Sequence, residues 1–153
     1  MKLAIGSDHA GFRLKERLRE KLVALGHDVT DCGTNSEVST DYPLFAAKVA
    51  RAVSDGAAEK GVLVCGTGIG MAIAANRIAH VRAAACVDIF SVRLARGHND
   101  ANVLCLGARV VGPEHAEALL HEFLTTPFEG GRHQRRVDQL ATLASSGDAQ
   151  PTR

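Results

Sequence analysis

Two rhythms of apolar residues alternate along this chain. Short apolar runs at 2–6, 27–32, 62–65, 82–87 and 102–106 read as strands, and the segments between them carry apolar residues at helical spacing. Between 12 and 25, Leu14, Leu18, Leu22 and Leu25 share one face, while Arg13, Lys15, Arg17, Arg19 and Lys21 occupy the rest. Gly26 suits the position just past a helix end. Further helices are predicted over 42–54, opened by Pro43, and over 71–77, 88–96, 113–125 and 132–144. In the last of these, Val137, Leu140 and Ala144 are expected to pack on the core. The polar stretch 33–41 reads as a loop, and 145–153, which has no periodicity, as a flexible tail.

Strands alternating with helices give an α/β protein: a three-layer, Rossmann-like parallel sheet of about five strands with helices on both faces. We expect one domain over 1–144, with its final helix at 132–144. In such sheets ligands bind beyond the carboxyl ends of the strands. That rule gathers Asp8, His9, the segment from Cys65 to Gly70 and Arg109 on one rim.

Composition narrows the classes of function. A net charge of +1 offers no global attraction to nucleic acid or anionic membrane, and aromatics at 4% without Trp offer no base-stacking platform. No apolar run approaches the roughly 20 residues of a membrane span. Residues 1–6 read as a strand rather than the apolar region of a signal peptide, so a cytoplasmic protein is expected. The cysteines Cys32, Cys65, Cys86 and Cys105 form no C-x-x-C pair, and three of them read as small buried residues at strand ends.

Cys65 is different, because Gly66-Thr67-Gly68-Ile69-Gly70 follows it and leads into a helical run. Strand, glycine loop and helix together bring backbone N–H groups to bear on an anion, here beside a thiol that can act as nucleophile or base. The loop departs from known phosphate loops. Met71 stands where a dinucleotide fingerprint has its third glycine and where a C-x5-R phosphatase loop has its arginine, and no Lys-Ser/Thr pair follows. Asp88 lies at about the distance of a ribose-binding acid, which keeps a nucleotide-binding module open as an alternative.

His9 and His98 each sit in a polar turn, and in Gly97-His98-Asn99-Asp100 the adjacent carboxamide and carboxylate could orient the imidazole for proton transfer. Arg132 and Arg136 project from one helix face and suit a phosphate or carboxylate. The histidines are scattered along the chain, without a metal-ligand spacing, so neither metal nor cofactor is expected.

Taken in order, Gly6-Ser7-Asp8-His9-Ala10-Gly11, Asp41-Tyr42-Pro43, Cys65 to Gly70, Ala75-Asn76-Arg77, Gly97-His98-Asn99 and Gly130-Gly131-Arg132-His133 are highly specific. On these motifs the chain resembles, from about residue 1 to 143, the sugar-phosphate isomerase family that contains ribose-5-phosphate isomerase B, galactose-6-phosphate isomerase subunits and allose-6-phosphate isomerase. The resemblance implies a metal-free aldose–ketose isomerase of the pentose phosphate pathway, working through an enediolate. It makes Cys65 the proton-transfer base, since members without this cysteine use a glutamate just after the loop, where Met71 stands here. It makes the Gly66, Thr67, Gly68, Ile69 and Gly70 amides the anion hole, and Thr67 and His98 the residues that assist ring opening. Asp8 and Asn99 match sugar-hydroxyl contacts, and His9, Arg109, Arg132 and Arg136 match substrate and phosphate contacts. It further implies a homodimer, or a tetramer, with sites shared between subunits. A catalytically idle sugar-phosphate-binding subunit is the alternative from another class.

Overall fold

The computed structural model describes residues 1–145. Of the predicted tail 145–153, Ser145 ends the last helix, and 146–153 lie outside the described residues. Five strands, β1 (Lys2–Ser7), β2 (Asp28–Asp31), β3 (Lys60–Cys65), β4 (Ala83–Ala85) and β5 (Val103–Gly107), form one sheet in the order β2-β1-β3-β5-β4. Every neighbouring pair is parallel. The helices are α1 (Phe12–Ala24), α2 (Tyr42–Ser54), α3 (Ile69–Ala75), α4 (Ile89–Gly97), α5 (Pro113–Thr125) and α6 (Arg132–Ser145). The α/β fold predicted from the alternating rhythm is the one found.

Alternation along each central strand builds two cores. Leu3, Ile5, Val62, Val64, Leu104 and Leu106 face one way, against α1, α4 and α5. Ala4, Leu63, Cys65, Val103 and Cys105 face the other way, against α2 and α3. The second face is built of smaller residues, and α2 sits close on it. A Cβ at Gly61 would lie 2.7 Å from Val49 Cγ1, and one at Gly6 would lie 2.9 Å from Val49 Cγ2.

Local signals account for most boundaries. Gly26 adopts φ 81° and ends α1, with His27 N–H returning to Leu22 O. Pro43 stands in the first turn of α2. Strand β4 is only three residues long, shorter than the predicted run. Its edge is completed by the Asn76 side chain, which donates to Ala83 O at 2.9 Å and accepts from Ala83 N–H at 2.8 Å. Asn76 is thereby a structural residue. Asp88 also has a local duty: it caps α4, accepting from Ser91 N–H at 2.8 Å and from Ser91 Oγ at 2.7 Å. No further signal is left for a ribose-binding acid there.

The final helix departs from expectation. Leu140 is 47% and Leu143 68% exposed, and Val137 is only half-buried, so α6 does not seat on this chain's core as its periodicity predicted. Instead Val137, Leu140 and Ala141 form one wall of an open groove of about 900 Å³, whose other wall includes Arg77, Ile78 and Asn99. Among the described residues, no helix is long and apolar enough to cross a membrane.

The close seating of α2 has a measurable consequence. Gly61→Ala puts a methyl group into Val49 and Val103, and should lower unfolding free energy by about 1–3 kcal/mol through overpacking. Denaturant titration should show a reduced midpoint at an unchanged slope.

Candidate active site

The strand order places the ends of β1, β3 and β5 side by side in the middle of the sheet. The chain moves outward from β1 to β2 and then crosses to β3, so a topological switch point lies between β1 and β3, where such sheets open a crevice. Asp8 follows β1, Cys65 ends β3 and Arg109 follows β5. The rim expected from the sequence is therefore present.

At its centre, the Cys65 thiol is buried, and the Gly68 N–H donates to Sγ at 3.2 Å. A backbone amide aimed at sulfur stabilises negative charge on it. The other thiols have no such setting. Burial pushes Cys86 up to about 11, and raises Cys32 and, most strongly, Cys105 as well. Of these three, Cys32 is only half-buried and Cys105 lies mid-strand, so not all are the buried strand-end residues expected.

The glycine loop has this shape for two reasons. Gly68 adopts φ 80°, and a Cβ there would lie 3.0–3.2 Å from the Cys105 and Leu106 backbone, so the loop lies flat against the end of β5. At Gly70 a Cβ would meet the Tyr42 ring at 2.9 Å. The loop's amides are not all bare. Besides Gly68, the Ile69 N–H points at Thr67 Oγ1 at 3.4 Å. Thr67 and Ile69 are exposed on the rim, and Gly66 is half-buried under the Arg109 guanidinium, whose Nη1 would lie 3.4 Å from a Cβ there. Backbone bonds from Ala108 to Cys65 O and from Arg109 to Gly66 O bind this exit loop to the rim.

On the other side, Asp8 is buried and uses Oδ1 to cap a single 3₁₀ turn, His9–Gly11, through the Gly11 N–H. Thr40 N–H donates to His9 Nδ1 at 3.1 Å. In a neutral ring this leaves the proton on Nε2, so that nitrogen is the donor available to a ligand. The polar stretch 33–41 thus reaches the site through Thr40, a residue with no signal in the sequence.

The remaining predicted residues gather elsewhere. His98 follows α4, and its ring stacks on His133, with centroids 4.1 Å apart and planes 9° apart. Glu129 Oε2 lies 3.6 Å from Nε2 of both rings. Arg132 and Arg136, both exposed, lie close enough to act on the His133 charge. Desolvation first, then His98 and Arg132, push His133 below the usual imidazole range. Asp100, expected to orient His98, does otherwise. It adopts φ 45° and bonds Arg82 Nη2 and Arg96 Nη1, each at 2.8 Å, while Arg82 Nε also donates to Asn99 O at 3.1 Å. Two arginines therefore clamp the backbone of the His98-Asn99-Asp100 turn, and Asn99 stays exposed. The i, i+4 spacing of Arg96 and Asp100 was a legible sign of that clamp.

Scattered in sequence, His98 and His133 do meet in the fold, and with Glu129 they are a group that could hold a metal ion. Parallel stacking works against it. The in-plane lone pairs of two parallel rings run side by side and do not converge on one ion about 2.0–2.1 Å from each nitrogen.

Among the described residues the site thus comes as two groups: the rim around Cys65, with Asp8, His9, Thr67 and Arg109, and the cluster of His98, Asn99, Arg132 and Arg136. No hydrogen bond, ion pair or ring stack connects the two groups.

Comparison with known proteins agrees with the motifs. Residues 3–140 match the family described as Ribose/Galactose Isomerase. The chain is 47% identical over 142 residues to ribose-5-phosphate isomerase B of Escherichia coli, covering 93% of this chain and 95% of that one. It is 40% identical to a D-erythrulose-4-phosphate isomerase of Pectobacterium atrosepticum, covering 92% and 93%. Among solved structures, ribose-5-phosphate isomerase B of Clostridium thermocellum superposes with a TM-score of 0.94 at 44% identity, covering 95% of this chain and 98% of that one. The two sequence rhythms, the parallel sheet and the rim at its switch point are those of one lineage: this chain belongs to the ribose/galactose isomerase family.

Proposed function

We propose that this protein is an aldose–ketose isomerase that interconverts ribose 5-phosphate and ribulose 5-phosphate without a metal. The observation that carries the reading is the Gly68 N–H on Cys65 Sγ, at the carboxyl end of a central strand. The reaction moves one proton between C1 and C2 of the open-chain sugar and one between their oxygens, so that in the direction of ribulose 5-phosphate the O2 hydroxyl proton ends on O1. Cys65, as thiolate, takes the proton from one carbon and returns it to the other through a cis-enediolate. Amides of the Gly66–Gly70 loop that are not turned to Cys65 Sγ or Thr67 Oγ1 hold the enediolate oxygens, a preorganised donor set of the kind worth about 3–4 kcal/mol per donor.

Before that, the furanose ring has to open. His98, with the Thr67 hydroxyl, takes the proton from the O1 hydroxyl as the C1–O4 bond breaks and C1=O1 forms. The imidazole then returns the proton to O4. Asp8 and Asn99 take sugar hydroxyls, with Asp8 Oδ1 already committed to its turn. His9 Nε2, Arg109, Arg132 and Arg136 hold the phosphate, which does not react, so that its binding energy positions the carbons that do. The separation of the Cys65 rim from the His98 cluster supports a homodimer in which each site takes one group from each subunit.

The names of the relatives span four-carbon and five-carbon sugar phosphates, so the test runs a panel. Purified protein with EDTA should turn over ribose 5-phosphate. Allose 6-phosphate and erythrulose 4-phosphate measured in parallel report the chain length the pocket takes. Binding without turnover on all three would identify a non-catalytic binding subunit. Cys65→Ala should fold, bind sugar phosphate and lose isomerisation by at least about a hundredfold; full turnover in that variant would remove Cys65 as the base. His9→Ala, which removes a phosphate donor together with the acceptor for Thr40 N–H, should lower kcat/KM about tenfold in a steady-state assay, with the thermal midpoint within a few degrees of wild type.

A further inference from the structure

The His98 ring has a neighbour that the motifs leave without a duty. Glu129 lies in the break between α5 and α6, and its Oε2 faces Nε2 of His98 and of His133 at 3.6 Å each. Its backbone is bound to the residue before His98, because Glu129 N–H donates to Gly97 O at 3.0 Å. Its side chain fills the space beside Gly97, where a Cβ would lie 2.9 Å from Glu129 Oε1. Gly130 and Gly131, at φ 64° and 55°, then turn the chain back so that His133 slides beneath His98. His133 is buried and His98 is one-third exposed, so His98 is the ring that a ligand can reach.

Building on the isomerase reading, we propose that Glu129 is the positioning residue for His98 in ring opening. The His133 ring sets the plane of His98 by stacking. The Glu129 carboxylate sets the charge it can carry. At 3.6 Å the contact is an ion-pair distance rather than a hydrogen bond, so the carboxylate acts mainly when His98 holds the proton taken from O1. The positive groups in this cluster, Arg132 and Arg136, act on the stacked His133 ring, where they oppose protonation and Glu129 favours it. Glu129 is the acidic group that offsets them.

The chemistry supplies a readout that separates this role from folding and from proton transfer at carbon. Ribulose 5-phosphate has its 5-hydroxyl esterified and cannot close a furanose ring. Exchange of its C1 proton with solvent deuterium therefore needs Cys65 and the anion hole but no ring opening. In Glu129→Gln, which keeps the side-chain shape beside Gly97, turnover of ribose 5-phosphate should fall at least about tenfold. Exchange into ribulose 5-phosphate should stay within about twofold of wild type. Loss of both activities together, or of neither, overturns the assignment. A wild-type protein that neither turns over nor exchanges overturns the isomerase reading itself, and the role of Glu129 with it, whereas Cys65→Ala silent in both assays beside an active wild type leaves the split in Glu129→Gln as the deciding result.

Discussion

The rim depends on the backbone between Cys65 and Gly70 lying flat against the end of β5. That requires a left-handed residue without a Cβ at Gly68 and no side chain at Gly107, where a Cβ would lie 2.7–2.8 Å from the Thr67 backbone. Only in this seating does the Gly68 N–H come to the sulfur. A backbone dipole is thereby fixed against the sulfur of Cys65. At Cys86 and Cys105 burial raises the thiol pKa.

A second constraint sits on the same face of the sheet. Small residues at Ala4, Gly6 and Gly61 let α2 approach closely, and the same helix brings Tyr42 over Gly70. The first turn of α2 is therefore part of the wall of the glycine loop. On the opposite face Leu, Ile and Val fill a conventional core under α1 and α5. The two faces divide the labour: the bulky face holds most of the largest fully buried side chains, and the lean face brings helices near the site.

The His98 cluster is built differently, from side chains of distant segments. Arg82 and Arg96 hold Asp100, Asp100 holds the turn, and the Gly130-Gly131 reversal delivers His133 and Glu129 to the imidazole. The helix that follows leaves Leu140 and Leu143 exposed, with Leu140 in the wall of an open groove.

Much of this was legible in the sequence. Among the described residues, apolar rhythm located the five strands and six α-helices, because burial on a sheet or a helix face is a local periodic property. The turn at Gly26, Pro43 in the first turn of α2 and the glycine loop after Cys65 were equally readable, since backbone conformation is written in single residues. The carboxyl-end rule then placed Asp8, Cys65 and Arg109 together. Apart from the i, i+4 spacing of Arg96 and Asp100, pairings were not readable. Asp100 turned from His98 to two arginines, Glu129 took the place beside the imidazole, and Thr40 reached His9 from a loop without pattern. Leu140 carried the spacing of a core residue and found no core in its own chain. By itself the sequence determined which elements form and which residue types stand at their ends; the tertiary structure alone decided which side chains meet, because a contact between remote segments depends on strand order and helix seating that no local pattern encodes.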